Sequence, residues 1–124
     1  MIILDTDILI EIFDKKSQKG DQTLERIEQS GEDIAITSLS LHEILYGVSK
    51  FGKKRIAAVE KLETIDFCKE DAILSAHLEL DAEQKGRPLS RIDAMIAAIA
   101  LNRKSKLYTF NQKHFHSIPK VSLF

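Results

Sequence analysis

Three apolar residues, Ile2-Ile3-Leu4, are followed at once by Asp5, a pattern that reads as a short strand ending in an acid. From Thr6 the run ILIEIF suits a short helix ending near Asp14, and KKSQKGD reads as a polar loop. Residues 21–30 have helical spacing, with Leu24 and Ile27 inward. Ile34–Thr37 is a second strand-like run. Residues 40–50 place apolar side chains at 41, 44, 45 and 48, the 3.6-residue period of a helix. Residues 53–63 continue as helix, with Ile56, Val59 and Leu62 inward, and residues 64–67 read as another short strand. Residues 70–85 carry inward apolar positions at 73, 76 and 80, and Gly86 with Pro88 stops that helix. Residues 91–103 are nearly all apolar and predict a buried helix. A strand over 106–110 comes next, with a last one over 121–124.

Short strands alternating with helices predict an α/β fold with a short, mostly parallel sheet flanked by helices. The uniform apolarity of IIL and IAIT fits central strands covered on both faces. No repeat, low-complexity tract or linker divides the sequence, so residues 1–124 read as a single domain.

Composition narrows the class. The chain is 44% hydrophobic and 30% charged, enough for a core and too balanced for disorder. No apolar run reaches the roughly 18 residues of a membrane span, and MIILDTD lacks the basic start of a signal peptide. One cysteine, Cys68, excludes an internal disulfide and suggests the cytoplasm. His42-Glu43 opens like a zinc-binding HExxH, but position 46 is Tyr. The net charge of −1 hides an asymmetry: residues 1–83 hold 10 basic and 18 acidic residues, residues 84–124 hold 8 basic residues and one acid, Asp93. A basic C-terminal third suits an anionic partner, or simply decorates a surface.

Three acids have plain explanations as helix-start residues. Asp5 would cap the helix after its strand, Ser40 with Glu43 reads as a capping box, and Ser90 with Asp93 as a variant of one. Together they say more. In a parallel α/β unit the strands end, and the following helices begin, at one edge of the sheet. Asp5, Glu43, Asp93 and Asn111 all fall at that edge, where such sheets bind ligands. Crowded carboxylates resist ionising, and a hard divalent cation relieves them. Mg²⁺ or Mn²⁺ there would work on phosphate, with the basic third serving a phosphate backbone.

The strand into Asp5-Thr6-Asp7, TSLSLHEILYG with Glu43, RPLSRIDAMIAAIAL with Asp93 and LYTFNQKHF with Asn111 together resemble the PIN-domain ribonucleases, most of all the VapC toxins of toxin–antitoxin pairs. The likeness covers essentially the whole chain. It implies a PIN fold and Mg²⁺- or Mn²⁺-dependent endonucleolytic cleavage of RNA. Asp5, Glu43 and Asp93 match the family's three metal-holding acids. Asn111 matches a fourth catalytic-site position that is often acidic, so its amide leaves a second metal site open. Thr6 or Ser38 would support the site through hydroxyl contacts, and Ser90 stands where many relatives have Gly. The likeness further implies a homodimer, held inactive by a VapB-type antitoxin whose C-terminal tail enters the acidic site.

Asp7 reads as a first-turn helix acid before it reads as a weak metal ligand or a residue supporting the metal site from behind. His114 and His116 flank Phe115 and would face either RNA or solvent. Arg87 and Arg91 would clamp phosphate or stay solvated. Lys53-Lys54-Arg55 reads as a solvated helix start, and Tyr46, Phe51 and Phe67 as core or dimer-interface residues. Two rival functions remain. A non-catalytic PIN-like scaffold would bind a partner without cutting. A haloacid-dehalogenase-type phosphatase would use Asp5 as nucleophile and Asp7 as acid, but it also needs a later Lys and a pair of acids after a strand, and here the only late acid is Asp93, inside a helix.

Overall fold

In the computed structural model, which describes residues 1–52 and 57–124, the chain opens with β1 (Ile2–Leu4), buried at every position. It is flanked on both edges. β2 (Ile34–Thr37) pairs with it in parallel on one side, Ile2 opposite Ile34. β4 (Lys106–Tyr108) pairs in parallel on the other, with Ile3 opposite Leu107 and Leu4 opposite Tyr108. β3 (Thr64–Ile65) extends the sheet beyond β2, giving the order β3-β2-β1-β4. The expected parallel α/β sheet is therefore present, with shorter strands. The predicted strands over 64–67 and 106–110 stop at Ile65 and Tyr108, and residues 121–124 contribute one bridge, Leu107 to Leu123.

Side chains alternate across β1, and a separate core forms on each face. Ile3 joins Leu107 and the helix side chains Ala94, Ile96, Ala97 and Ile99. Ile2 and Leu4 join Ile8, Leu9, Ile27, Ile36, Ile44 and Val48.

Local chemistry sets the helix starts. α1 (Thr6–Leu9) begins at its cap Asp5 and runs on as a π-helical turn over Ile10–Lys15. The left-handed backbone of Lys16, at φ 49°, ends it. α2 (Gln18–Ser30) starts earlier than the expected 21, inside the segment read as loop. The Ser17 hydroxyl accepts from the Gly20 amide at 3.0 Å and caps it. Gly20 misleads the sequence reading because it resembles loop punctuation. It is instead the contact point with the turn before it: a Cβ there would fall on the Glu11 carbonyl. The buried face of α2 is Gly20, Thr23 and Ile27, and Leu24, expected inward, is exposed.

α3 (Ser38–Lys50) is capped by Thr37, whose hydroxyl accepts from the Ser40 amide at 3.1 Å. The expected capping box of Ser40 with Glu43 is therefore replaced, and Glu43 sits a turn inside the helix. Tyr46 and Phe51 are 59% and 72% exposed and are not core. Phe67 packs partly buried against the core. Lys53-Lys54-Arg55 and Ile56 lie outside the described residues, so the N-terminal part of the helix expected over 53–63 goes with them. α4 (Ala57–Glu60) is the remainder of that helix, with Val59 fully buried.

α5 (Lys69–Gln84) turns a different face inward from the one expected. Asp71, Ser75 and Ala82 are buried, while Ile73 and Leu80 are more than half exposed. The helix carries apolar residues on more than one side, so period alone cannot choose its inner stripe. A buried acid decides it. Asp71 accepts from Asn102 Nδ2 at 2.8 Å, Arg103 Nη1 at 3.3 Å and the Cys68 amide at 3.0 Å. Burial pushes its carboxyl up, and these hydrogen bonds with the Arg103 charge outweigh that and hold it below the usual range. Small residues then let α5 lie against α6 (Arg91–Asn102), the predicted apolar helix, buried at Ala94 and from Ile96 to Ala100. Among the described residues no helix is long and apolar enough to cross a membrane.

Candidate active site

β1 and β4 end side by side, and the chain leaves them toward different parts of the fold. Such a switch point opens a crevice at the carboxyl edge of a parallel sheet. Asp5 stands there at the end of β1, its amide donating to the Tyr108 carbonyl at 2.9 Å. The residue is 7% exposed. One carboxylate oxygen accepts from the Thr6 amide at 2.8 Å, as an N-cap; the other accepts from the Thr109 hydroxyl at 2.9 Å. Burial first, then the neighbouring carboxylates Asp7 and Asp93, push the Asp5 carboxyl up to about 6.

Asp7 is more than a first-turn acid. Its Oδ2 accepts from the Phe110 amide at 3.0 Å, the Asn111 side-chain amide at 3.2 Å and the Thr109 hydroxyl at 3.3 Å. Its Oδ1 is buried with no hydrogen-bond partner among the described residues. Burial raises the Asp7 carboxyl above its ordinary value, against the pull of the amides it accepts from. Asn111 thus meets the site through Asp7, as a donor.

Glu43 reaches the site from α3. Its Oε1 accepts from the Thr6 hydroxyl at 2.8 Å, and Thr6 adjoins Asp5 in the chain. Asp93 enters from the first turn of α6, where the Ser90 hydroxyl accepts from the Asp93 amide at 3.1 Å. That cap leaves the Asp93 carboxylate free of the helix end; its Oδ2 lies 3.5 Å from His114 Nδ1.

All four expected residues therefore gather at one edge. They are not drawn into a closed cage: among the described residues no three His, Cys, Asp or Glu side chains are set to hold a metal ion. Each carboxylate leans on its own neighbour instead, Asp5 on Thr109, Glu43 on Thr6 and Asp93 on His114. The expected hydroxyl support comes from Thr6; Ser38 instead accepts from the Phe67 amide at 3.3 Å and fixes the segment after β3. Arg91, expected at this edge, forks onto Glu79 at 3.1 and 3.2 Å. One residue here escaped the sequence reading, and a second was weighed but ranked low. Thr109 looks like an ordinary buried strand position. Asp7 carried a signal, the D-x-D spacing, that a first-turn acid also explains.

The family model described as PIN domain matches residues 2–121. The chain is 33% identical to a protein of Rickettsia felis named ribonuclease VapC2, over 98% of this chain and 94% of that one. It is 30% identical to a tRNA(fMet)-specific endonuclease VapC of Salmonella typhimurium, again over 98% and 94%. Among solved structures it resembles that of VapBC2 from Rickettsia felis bound to a promoter DNA fragment, at TM-score 0.81 and 32% identity, covering 100% of this chain and 98% of that one.

Proposed function

The chain belongs to the PIN-domain family, and we propose that it is an endoribonuclease of the VapC kind, the toxin of a VapBC-type toxin–antitoxin pair. The observation that carries the reading is Asp5: a nearly buried carboxylate raised to about 6, facing Asp7 and Asp93 at the switch point of the sheet. Relatives named as ribonucleases over the full length of the chain support it, and a VapBC complex among the similar structures supports a VapB-type protein partner.

A divalent cation fits this set of groups. All the donors are hard oxygens, and the orphaned Asp7 Oδ1 and the raised Asp5 carboxyl both mark negative charge short of compensation. Mg²⁺ or Mn²⁺ takes few protein carboxylates and keeps its waters, so a closed cage is not required. Asp5, Glu43 and Asp93 would hold it. When bound, the cation supplies a polarised phosphoryl oxygen and an activated water.

The rest is done by the chain itself. Thr109 and the Thr6 amide fix both oxygens of Asp5, so its carboxylate does not swing. The Thr6 hydroxyl turns Glu43 toward the same edge. Asp7 draws Asn111 and the backbone after β4 against α1, which keeps the two strand ends together. The expected second copy of the chain has exposed apolar side chains to cover, among them Tyr46, Phe51, Ile73 and Leu80.

The test is cleavage of a mixed RNA pool by the purified chain with Mg²⁺ or Mn²⁺, beside an Asp93→Asn protein prepared identically. Ser90 still caps α6 in that variant, so the fold is kept. Cutting that requires metal, stops with chelator and is lost in Asp93→Asn is expected. Equal cutting by both proteins would reduce Asp93 to a helix-start residue, and no cutting without metal binding would return the scaffold reading.

A further inference from the structure

Beside the acids lies a cavity of about 360 Å³ lined by Arg87, Lys113, His114, His116 and Ser117. We propose that it is a subsite for a backbone phosphate of the RNA, next to the one that is cut. The inference rests on the nuclease reading above.

Four observations converge on the cavity. The first is charge. Arg87 and Lys113 carry permanent positive charge, and neither side chain has an ion pair or hydrogen bond among the described residues, whereas Arg91, Arg103 and Lys106 are each committed to a carboxylate. The second is position. His114 lines the cavity and also stands 3.5 Å from Asp93, so the cavity adjoins the acidic edge directly. The third is rigidity. Phe115 and Ile118 are buried, and the turn is closed by amide donations from His114 to Asn111, Phe115 to Gln112 and Ile118 to Phe115, at 3.0, 2.9 and 3.1 Å. Lys113 and the two histidines are thus mounted on a segment anchored in the core, which lowers the entropy cost of binding. The fourth is composition: from residue 84 onward Asp93 is the one acid, so this stretch of chain brings no other carboxylate to the cavity.

Arg, Lys and imidazole donors around a concave, open space are the chemistry of a phosphate seat. Asp93 repels any anion, an acidic protein segment and a phosphate alike. The cation that Asp5, Glu43 and Asp93 would hold offsets that repulsion, and a polynucleotide then has a neighbouring phosphate to place on the cation while this one sits on Arg87 and Lys113.

The experiment uses the cleavage-inactive Asp93→Asn chain and a fluorescein-labelled single-stranded RNA pool, with binding followed by anisotropy across a salt series. Arg87→Ala with Lys113→Ala on that background is expected to weaken binding on the order of tenfold. The slope of log affinity against log salt should fall by about 0.7 for each phosphate no longer neutralised. Lys104→Ala with Lys120→Ala, exposed cations beyond the far end of α6, should leave the slope unchanged. An unchanged slope in the first pair, or an equal fall in both, overturns the subsite. So does a first pair that keeps RNA binding and loses only the antitoxin. Metal-dependent cutting by the unaltered chain is read separately. Cutting with an unchanged slope discards the subsite and keeps the nuclease; a reduced slope in the first pair, from a chain that does not cut when unaltered, overturns both the nuclease and a seat beside a cut phosphate, and leaves only an RNA-binding patch.

Discussion

The Thr109 hydroxyl donates to Asp5 at 2.9 Å, and so the end of the last strand is tied to the end of the first. The same hydroxyl accepts from the Asn111 amide at 3.1 Å, which sets the turn after it. Thr109 is 1% exposed, so neither bond can be exchanged for water without opening the fold.

Thr109→Val keeps the shape and removes the hydroxyl. The Asn111 amide and one Asp5 oxygen lose their partner, which costs about 1–3 kcal/mol. At about 4 °C per kcal/mol for a domain of this size, a fall in melting temperature of several degrees is expected. Thr109→Ser should recover most of it. Melting curves that coincide for Val and wild type would show that the hydroxyl bonds are not made in solution.

Asp5 should leave a signature in the pH dependence of the metal-free protein. Its carboxyl titrates near 6 in the folded chain, against an ordinary 3.8. Between those values the folded chain holds more protons than the unfolded one, so stability falls as pH rises through the window and the whole loss is present above it. The loss amounts to at most about 3 kcal/mol. Asp5→Asn removes it and keeps an oxygen to accept from the Thr6 amide. In chelator, the variant should melt above wild type at pH 7 and lose that advantage below pH 4. A difference that does not change with pH would mean that Asp5 is not raised.

Asn111→Asp replaces a donor to Asp7 with a further carboxylate at the switch point. Without metal it should destabilise by about 1–2 kcal/mol through weakened bonding and repulsion. Mn²⁺ should restore more of the melting temperature in this variant than in wild type, since binding to the folded state adds stability by mass action. Equal Mn²⁺ shifts in the two proteins would show that position 111 lies outside the reach of the cation.

Gly20→Ala tests the packing of α2 on the π-helical turn. Helix propensity alone favours alanine by about 1 kcal/mol. The added Cβ meets the Glu11 carbonyl, backbone that cannot step aside cheaply. A net loss of about 1–3 kcal/mol is expected in urea unfolding. A gain would mean that the turn relaxes.

The features legible in the sequence are mostly local. Asp5 as a cap, Ser90 starting the helix of Asp93, and the buried runs IIL and IAIT each depend on neighbours within a few residues, and the structure keeps them. The strand-and-helix order, with the family resemblance, puts Asp5, Glu43, Asp93 and Asn111 at one edge, and that edge is where they lie. The features the sequence hides depend on distant partners. The inner face of α5 is chosen by Asp71, whose donors Asn102 and Arg103 lie about thirty residues on. The Ser40–Glu43 capping box gives way to Thr37, because the strand runs into the helix with no loop between and the last strand residue takes the cap. Thr109 announces nothing in its own segment, since the group it serves is separated from it by 104 residues.

That separation also orders events in time. Contacts between such remote parts of a chain form late, after the loops between them have closed. Asp5, Thr6 and Asp7 leave the ribosome well before the hydroxyl and amides that fix Asp5 and Asp7, which arrive only with residues 109–111. A nascent chain therefore carries these acids through the synthesis of the whole intervening fold without the strand that sets them in place. The sheet order, with β4 beside β1, makes completion of the acidic edge wait on the synthesis of the last strand.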